Sequence, residues 1–148
     1  MIRRLMHLYW RLSRGLTLGV RGMAIDAEGR IFLVKHSYVS GWHLPGGGVE
    51  PHESMRAALD RELMEEGNIE ILQAPRLFAI YHNRNVSGRD HVALFVTKSF
   101  TQSTPPRPNA EIVAHGFFAR DDLPPDTTAG TQARIAEVLD AVEPCEFW

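Results

Sequence analysis

The sequence predicts one mixed α/β layered domain, and three observations predict it. Hydrophobic periodicity orders the chain as helix, strands, helix, strands, helix. The 148 residues suit a single core. No internal repeat, low-complexity tract or interdomain linker divides them. Residues 1–15 read as an extra amphipathic helix, 16–143 as the domain itself, and 144–148 as a short tail.

Met1 to Arg14 has a helix period with a sharp division. Ile2, Leu5, Met6, Leu8, Tyr9 and Leu12 fall on one side; Arg3, Arg4, His7, Arg11 and Arg14 fall on the other. Gly15 stops it. A free helix of this length is marginal in water. The expectation is therefore docking of its apolar face on its own sheet or on a second copy in a homodimer. A basic helix lying weakly on a membrane surface is the rival reading.

Leu16 to Ile25 and Arg30 to His36 read as strands joined by the turn Asp26-Ala-Glu-Gly29, hence as a hairpin. The unbroken apolar run Ile31 to Val34 predicts a strand covered on both faces. Gly41 to Val49 is a glycine-rich loop. Ser54 to Glu66 is a helix with Ser54 as its N-cap, ended by Gly67-Asn68. Ile69 to Asn83 is extended and interrupted at Pro75, Asn83 to Asp90 is a polar loop, and His91 to Phe100 is a strand. Thr101 to Asn109 carries three prolines and is a loop. Ala110 to Ala119 is the last strand, and Thr128 to Val142 a closing amphipathic helix.

Composition excludes several classes. Hydrophobic residues are 44% and charged residues 23%, the balance of an ordinary globular protein. The formal net charge is −2 with no basic stripe, so no stable nucleic-acid partner is expected, and attraction for phosphate must be local. No apolar run reaches the length of a transmembrane span. Met1 to Gly15 lacks the apolar core and small-residue cleavage site of a secretory signal. The lone Cys145 cannot form an internal disulfide. The expected location is cytoplasmic. The seven histidines show no ligand spacing and read as solvated or locally hydrogen-bonded.

Gly46, Gly47 and Gly48 run together, and Glu53 follows. Then Glu62, Glu65 and Glu66 stand at i, i+3 and i+4 on one helix face. Like charges so placed repel unless a cation sits among them. Clustered hard oxygen donors select Mg²⁺ or Mn²⁺. A glycine without Cβ lets its backbone carbonyl approach such a cation. Arg61 can hold a carboxylate, Glu53, by a bidentate pair.

This stretch resembles the signature of the Nudix hydrolase family, Gly-x5-Glu-x7-Arg-Glu-U-x-Glu-Glu-x-Gly-U, where U is aliphatic. Here it runs Gly47, Glu53, Arg61, Glu62, Leu63, Glu65, Glu66 and Ile69. At typical residue usage a chance match is on the order of 10⁻⁷, so coincidence is set aside. One position departs: Asn68 stands where the family has glycine. Trp42-His-Leu-Pro-Gly-Gly47 looks like the family's lead-in, and Gly116-Phe117-Phe118 with Asp122-Leu123-Pro124 like its exit. The resemblance implies an α/β/α sandwich around a mixed β-sheet. It also implies metal-dependent hydrolysis of a pyrophosphate bond in a nucleoside diphosphate linked to another group. By position, Glu62, Glu65, Glu66 and the Gly47 carbonyl look like metal ligands. Glu53 and Arg61 look like support for them, and Glu111 lies where some members place a further metal-binding or base carboxylate.

The substrate is less defined. Where subfamilies acting on ADP-ribose or dinucleoside polyphosphates carry a proline or a tyrosine, this chain has Arg84, Asn85 and Val86. Trp42, Tyr38 and Tyr81 could stack on a base, and Arg84 and Arg89 could meet phosphate. The expected substrate is a small-molecule nucleotide. The competing readings are a non-cleaving nucleotide sensor, an enzyme acting on a membrane-associated diphosphate, and removal of diphosphate from RNA ends.

Overall fold

The computed structural model describes residues 2–148; Met1, part of the expected first helix, and the side chain of Arg3 lie outside the described residues. In chain order the elements are α1 (Ile2–Ser13), β1 (Thr17–Ala24), β2 (Ile31–His36), β3 (Trp42–His43) and β4 (Gly46–Gly48). Then come α2 (Met55–Gly67), β5 (Ile69–Ile71), β6 (Arg76–His82) and β7 (Asp90–Thr97). Last are β8 (Phe100–Gln102), β9 (Ile112–Phe118) and α3 (Ala129–Leu139). The strands form a four-stranded sheet in the order β4-β1-β7-β6, a three-stranded sheet β3-β2-β9 and a two-stranded pair β5-β8. The largest sheet is mixed, because β1 runs parallel to β7 and antiparallel to β4.

The expected hairpin is corrected. Its turn forms: the Asp26 carboxylate accepts from the backbone N–H groups of Glu28 at 3.1 Å and Arg30 at 2.8 Å, and Gly29 takes φ 77. Beyond it the strands part, and only Ile25 and Ile31 bridge. Both edges of β1 are occupied, one by β4 and the other by β7 from Thr17↔Asp90 to Ala24↔Thr97. With no free edge on β1, β2 pairs with β3 and β9 instead.

The alternating side chains of β1 and β2 feed two apolar layers. Val20, Ala24, Phe32 and Val34 pack with Ala58, Leu59 and Leu63 of α2. Met23, Ile25, Ile31 and Leu33 pack with Ile135 of α3. Ile31 to Val34 are all fully buried, as a strand covered on both faces requires. α2 sits directly on β1: a Cβ at Gly22 would meet Leu59 Cδ1 and Leu63 Cδ2 at 3.0 Å each. Leu63→Ala would open a void at this contact. Its expected cost is about 2–5 kcal/mol, read as a lower urea midpoint at unchanged slope.

Two expectations about the ends change. Residues 144–148 are no free tail. Glu146 O accepts from His82 N at 2.9 Å, Trp148 N donates to His82 O at 3.3 Å, and Arg134 Nη1 donates to Phe147 O at 2.9 Å. At the other end, α1 does not bury its apolar face on the sheet: Ile2, Leu5, Leu8, Tyr9 and Leu12 are all exposed. No helix among the described residues is long and apolar enough to cross a membrane.

Candidate active site

Local sequence sets α2 first. The Ser54 hydroxyl accepts from Ala57 N at 3.1 Å, capping the first turn. At the other end Asn68 takes the left-handed conformation, φ 50 and ψ 32, and its N–H donates to Met64 O at 3.0 Å. The one departure from the signature thus still stops the helix. Gly67 remains inside it, where a Cβ would come within 2.8 Å of Phe32 Cε1.

The helix brings its acidic face against the glycine strand β4. A Cβ on Gly47 would lie 2.4 Å from Glu62 Oε1, so only glycine leaves this carboxylate its place. Arg61 ties the surroundings together. Its Nε and Nη2 donate to the two Glu53 oxygens at 2.9 and 3.0 Å, the bidentate pair the sequence suggests. Nη2 also donates to Gly48 O at 3.1 Å, and Nη1 donates to Glu62 Oε1 at 2.6 Å. Glu65 is exposed and lies 3.6 Å from the same guanidinium. Glu66 is buried, with Oε2 accepting from Gly46 N at 2.9 Å and Oε1 lying 2.7 Å from His36 Nε2.

The electrostatics are those of an anionic pocket short of positive charge. Burial raises the Glu62 pKa; Arg61 opposes this, and the charges of Glu66 and Glu65 add to it. Glu53 is held below the usual carboxylate range, first by the Arg61 hydrogen bonds. Arg21, on β1 beneath the loop, donates to Leu44 O at 2.8 Å and Gly46 O at 3.2 Å. Loss of water lowers its pKa, against the attraction of Glu66 and Glu62. It holds the glycine strand and supplies positive charge from below.

Glu111 arrives from the residue just before β9. One ligand atom each of Glu111, Glu66 and His36 lies within 4.8 Å of the others. The Tyr38 hydroxyl lies 3.3 Å from Glu111 Oε1. Partial loss of water around the hydroxyl, then the nearby Glu111 charge, raises the Tyr38 pKa although the side chain as a whole is exposed. The reading of the histidines as solvated or locally hydrogen-bonded is corrected at His36, which is buried against the distant Glu66, and at His91; the Nδ1 atoms of both are buried and unpartnered among the described residues.

Gly47, Glu53, Arg61, Glu62, Glu65, Glu66 and Glu111 therefore cluster, and three other candidates do not join them. Tyr81 is fully buried, donates to Glu137 Oε2 at 2.7 Å and lies under the Arg134 guanidinium, so no ring face is free for a base. Trp42 packs into the α3-side core, edge-on to Phe118 with ring centroids 4.9 Å apart. Arg84 stacks on Phe147, 4.0 Å from its centroid, and lines a separate depression beside α3. Tyr81 is the fully buried residue of its strand, and Trp42 is half-buried on its own strand.

Beside Gly47 opens a cleft of about 610 Å³ lined by Thr17, Arg21, Gly48, Asn83, Asp90 and Trp148, among others. Arg21, His36 and Trp148 were not singled out from sequence. Arg21 carried a readable signal, a charge inside the otherwise apolar Leu18–Ile25 strand. The other two carried none.

Comparison with known proteins places the chain's family and fold. The chain is 42% identical over 69 residues to the CTP pyrophosphohydrolase of Escherichia coli strain K12, a stretch covering 44% of this chain and 50% of that protein. The chain thus spans about half the length of that relative. A MutT NUDIX hydrolase from Burkholderia pseudomallei superposes with TM-score 0.71 at 27% identity, over 82% of this chain and 97% of the other. An ADP-ribose pyrophosphatase from Streptococcus suis 89-1591 superposes with TM-score 0.64 at 28% identity, over 88% and 96%. The NUDIX domain family matches residues 15–139, which include the whole carboxylate cluster and the glycine strand, and the chain therefore belongs to the Nudix hydrolase family.

Proposed function

We propose that this protein hydrolyses the pyrophosphate bond of a small nucleoside diphosphate derivative with the help of a divalent cation, Mg²⁺ or Mn²⁺. One observation carries the reading: Glu62 fills the space beside Gly47, Glu66 accepts from Gly46 N and has an atom within 4.8 Å of Glu111 and His36, and Glu65 shares their helix face, while among the described residues Arg61 is the guanidinium that touches Glu62 and Glu65. The uncompensated, partly buried charge and the all-oxygen donors fit a hard cation. Glu62, Glu65, Glu66 and the Gly47 carbonyl would hold it, with Glu111 in reach of Glu66. When bound, a divalent cation neutralises phosphate charge and lowers the pKa of water.

The chain's own residues do the rest. Arg61 fixes Glu53 and Glu62 and keeps the loop at Gly48 in place. The exposed Glu111, or a glutamate of the helix face left free of the cation, is the carboxylate suited to take a proton from the attacking water. The water oxygen bonds one phosphorus, the bridging oxygen leaves with the other phosphate, and the proton goes to the carboxylate. The nucleoside end would occupy the cleft, where Trp148 replaces Trp42 and Tyr81 as the aromatic nearest to hand and Asn83 and Asp90 offer polar atoms.

Two of the similar proteins are named for CTP and for ADP-ribose. Arg84 stands where ADP-ribose-specific members carry proline, which disfavours ADP-ribose here. The test is a panel of nucleoside triphosphates, nucleotide sugars and ADP-ribose with Mg²⁺ or Mn²⁺, read as nucleoside monophosphate and phosphate release. Absence of turnover on the whole panel would refute the reading.

Metal binding has its own readout. A cation that binds the folded cluster at a hundredfold excess over Kd adds about 2.7 kcal/mol. At about 2–4 °C per kcal/mol, the melting temperature should rise by about 5–10 °C. A melting curve indifferent to millimolar Mg²⁺, Mn²⁺ and Ca²⁺ would count against the assembled site.

A further inference from the structure

We propose that α1 is a membrane-surface helix that docks this protein on bilayers containing anionic lipid. The nucleotide chemistry above does not use this helix, and the helix does not pack on the domain. Ile2, Leu5, Leu8, Tyr9 and Leu12 are each more than half exposed, and Leu16 just beyond continues the apolar surface. An isolated helix of twelve residues is marginal in water, so its order calls for an apolar surface from outside.

Charge decides which surface. The first 25 residues contain arginines and no aspartate or glutamate. Arg4, Arg11 and Arg14 are exposed, and Arg89 donates to Gly15 O at 3.3 Å, adding a cation at the root of the helix. Pairing the apolar faces of two copies would leave the arginines on the outer sides, where neither helix carries an acid to meet them. An anionic bilayer offers the complementary charge and the apolar phase together. The helix is sharply two-sided yet polar on average, with Tyr9 within the apolar face and Trp10 at its edge. That combination fits a helix lying in the interface plane rather than one buried in a core. Leu16 and Thr17 also line the cleft beside Gly47, so docking would bring the cleft mouth close to the lipid surface.

The test uses the full chain and two paired variants, Leu5→Glu with Leu12→Glu, and Arg4→Glu with Arg11→Glu. Co-sedimentation is measured with vesicles of equal parts phosphatidylserine and phosphatidylcholine, and with phosphatidylcholine alone. The unsubstituted chain should sediment with the anionic vesicles, bind phosphatidylcholine on the order of tenfold or more weakly, and release at high salt. Both variants should lose vesicle binding by at least about tenfold and keep the melting temperature and the turnover of a soluble substrate. Failure of the unsubstituted chain to sediment with anionic vesicles overturns the proposal. So does a concentration-dependent dimer in analytical ultracentrifugation that the leucine variant abolishes, because the apolar face is then covered by a second copy. Neither result bears on hydrolysis, which is read separately.

Discussion

Replacing Glu66 by Gln is expected to lower turnover by about 10²–10³-fold while the chain stays folded. The magnitude follows from a cation's contribution of several kcal/mol to phosphoryl-transfer charge, at about 1.4 kcal/mol per tenfold. Folding should survive because Gln keeps the contacts of the buried side chain. Its carbonyl can accept from Gly46 N as Oε2 does now, and its amide can face His36 Nε2. Removal of one charge from the three-carboxylate face also relieves repulsion in the metal-free protein. The measurements are kcat at saturating Mg²⁺ and a thermal melt without metal. A fall of only several-fold in kcat would end the case for Glu66 as a ligand. Unfolding of the variant would show that its contacts with His36 and Gly46 hold the fold rather than the site.

Gly47→Ala is expected to cost about 10²-fold in kcat/KM, with less than about 1 kcal/mol of stability lost. The added methyl would fall 2.4 Å from Glu62 Oε1, an overlap that must be relieved by movement. The Glu62 carboxylate is the part able to give, because it ends a side chain while Gly47 is fixed by its register with Val20 on β1. Arg61 Nη1 would lose its 2.6 Å partner or follow it, and the whole carboxylate set would shift. A displacement of about 1 Å at a reacting centre is enough for a loss of this size. Gly48→Ala is the control, since a Cβ there meets nothing within 4 Å. Equal losses in both would mean that the glycine strand matters for its flexibility and not for the space at Glu62.

The helix at the centre of both predictions was legible because its determinants are local. Ser54, Gly67 and Asn68 set its ends, and the spacing of Glu62, Glu65 and Glu66 alone puts them on one face. The bidentate pairing of Arg61 with Glu53 could also be named in advance, since the intervening turn and helix leave little freedom. The same locality explains the turn at Asp26, which formed as expected although the strands it joins did not pair.

Tertiary structure decided what depends on distant segments. β1 finds its parallel partner at Asp90–Thr97, and no pattern within either strand specifies that choice. That pairing closes the edge on which the hairpin would have formed. Tyr81 and Trp42 looked equally able to meet a base, but packing in the layer beneath α3 took up both, while Trp148 lines the cleft. His36, Glu66 and Glu111 come from three separate elements and meet only when β2, α2 and the start of β9 are packed together. Sequence by itself therefore determined the family, the helix and its acidic face, because spacing along one helix is fixed by the helix period. The meeting of His36 and Glu111 with Glu66, and the cleft, belong to the tertiary structure, because they rest on strand pairings whose partners lie far apart in the chain.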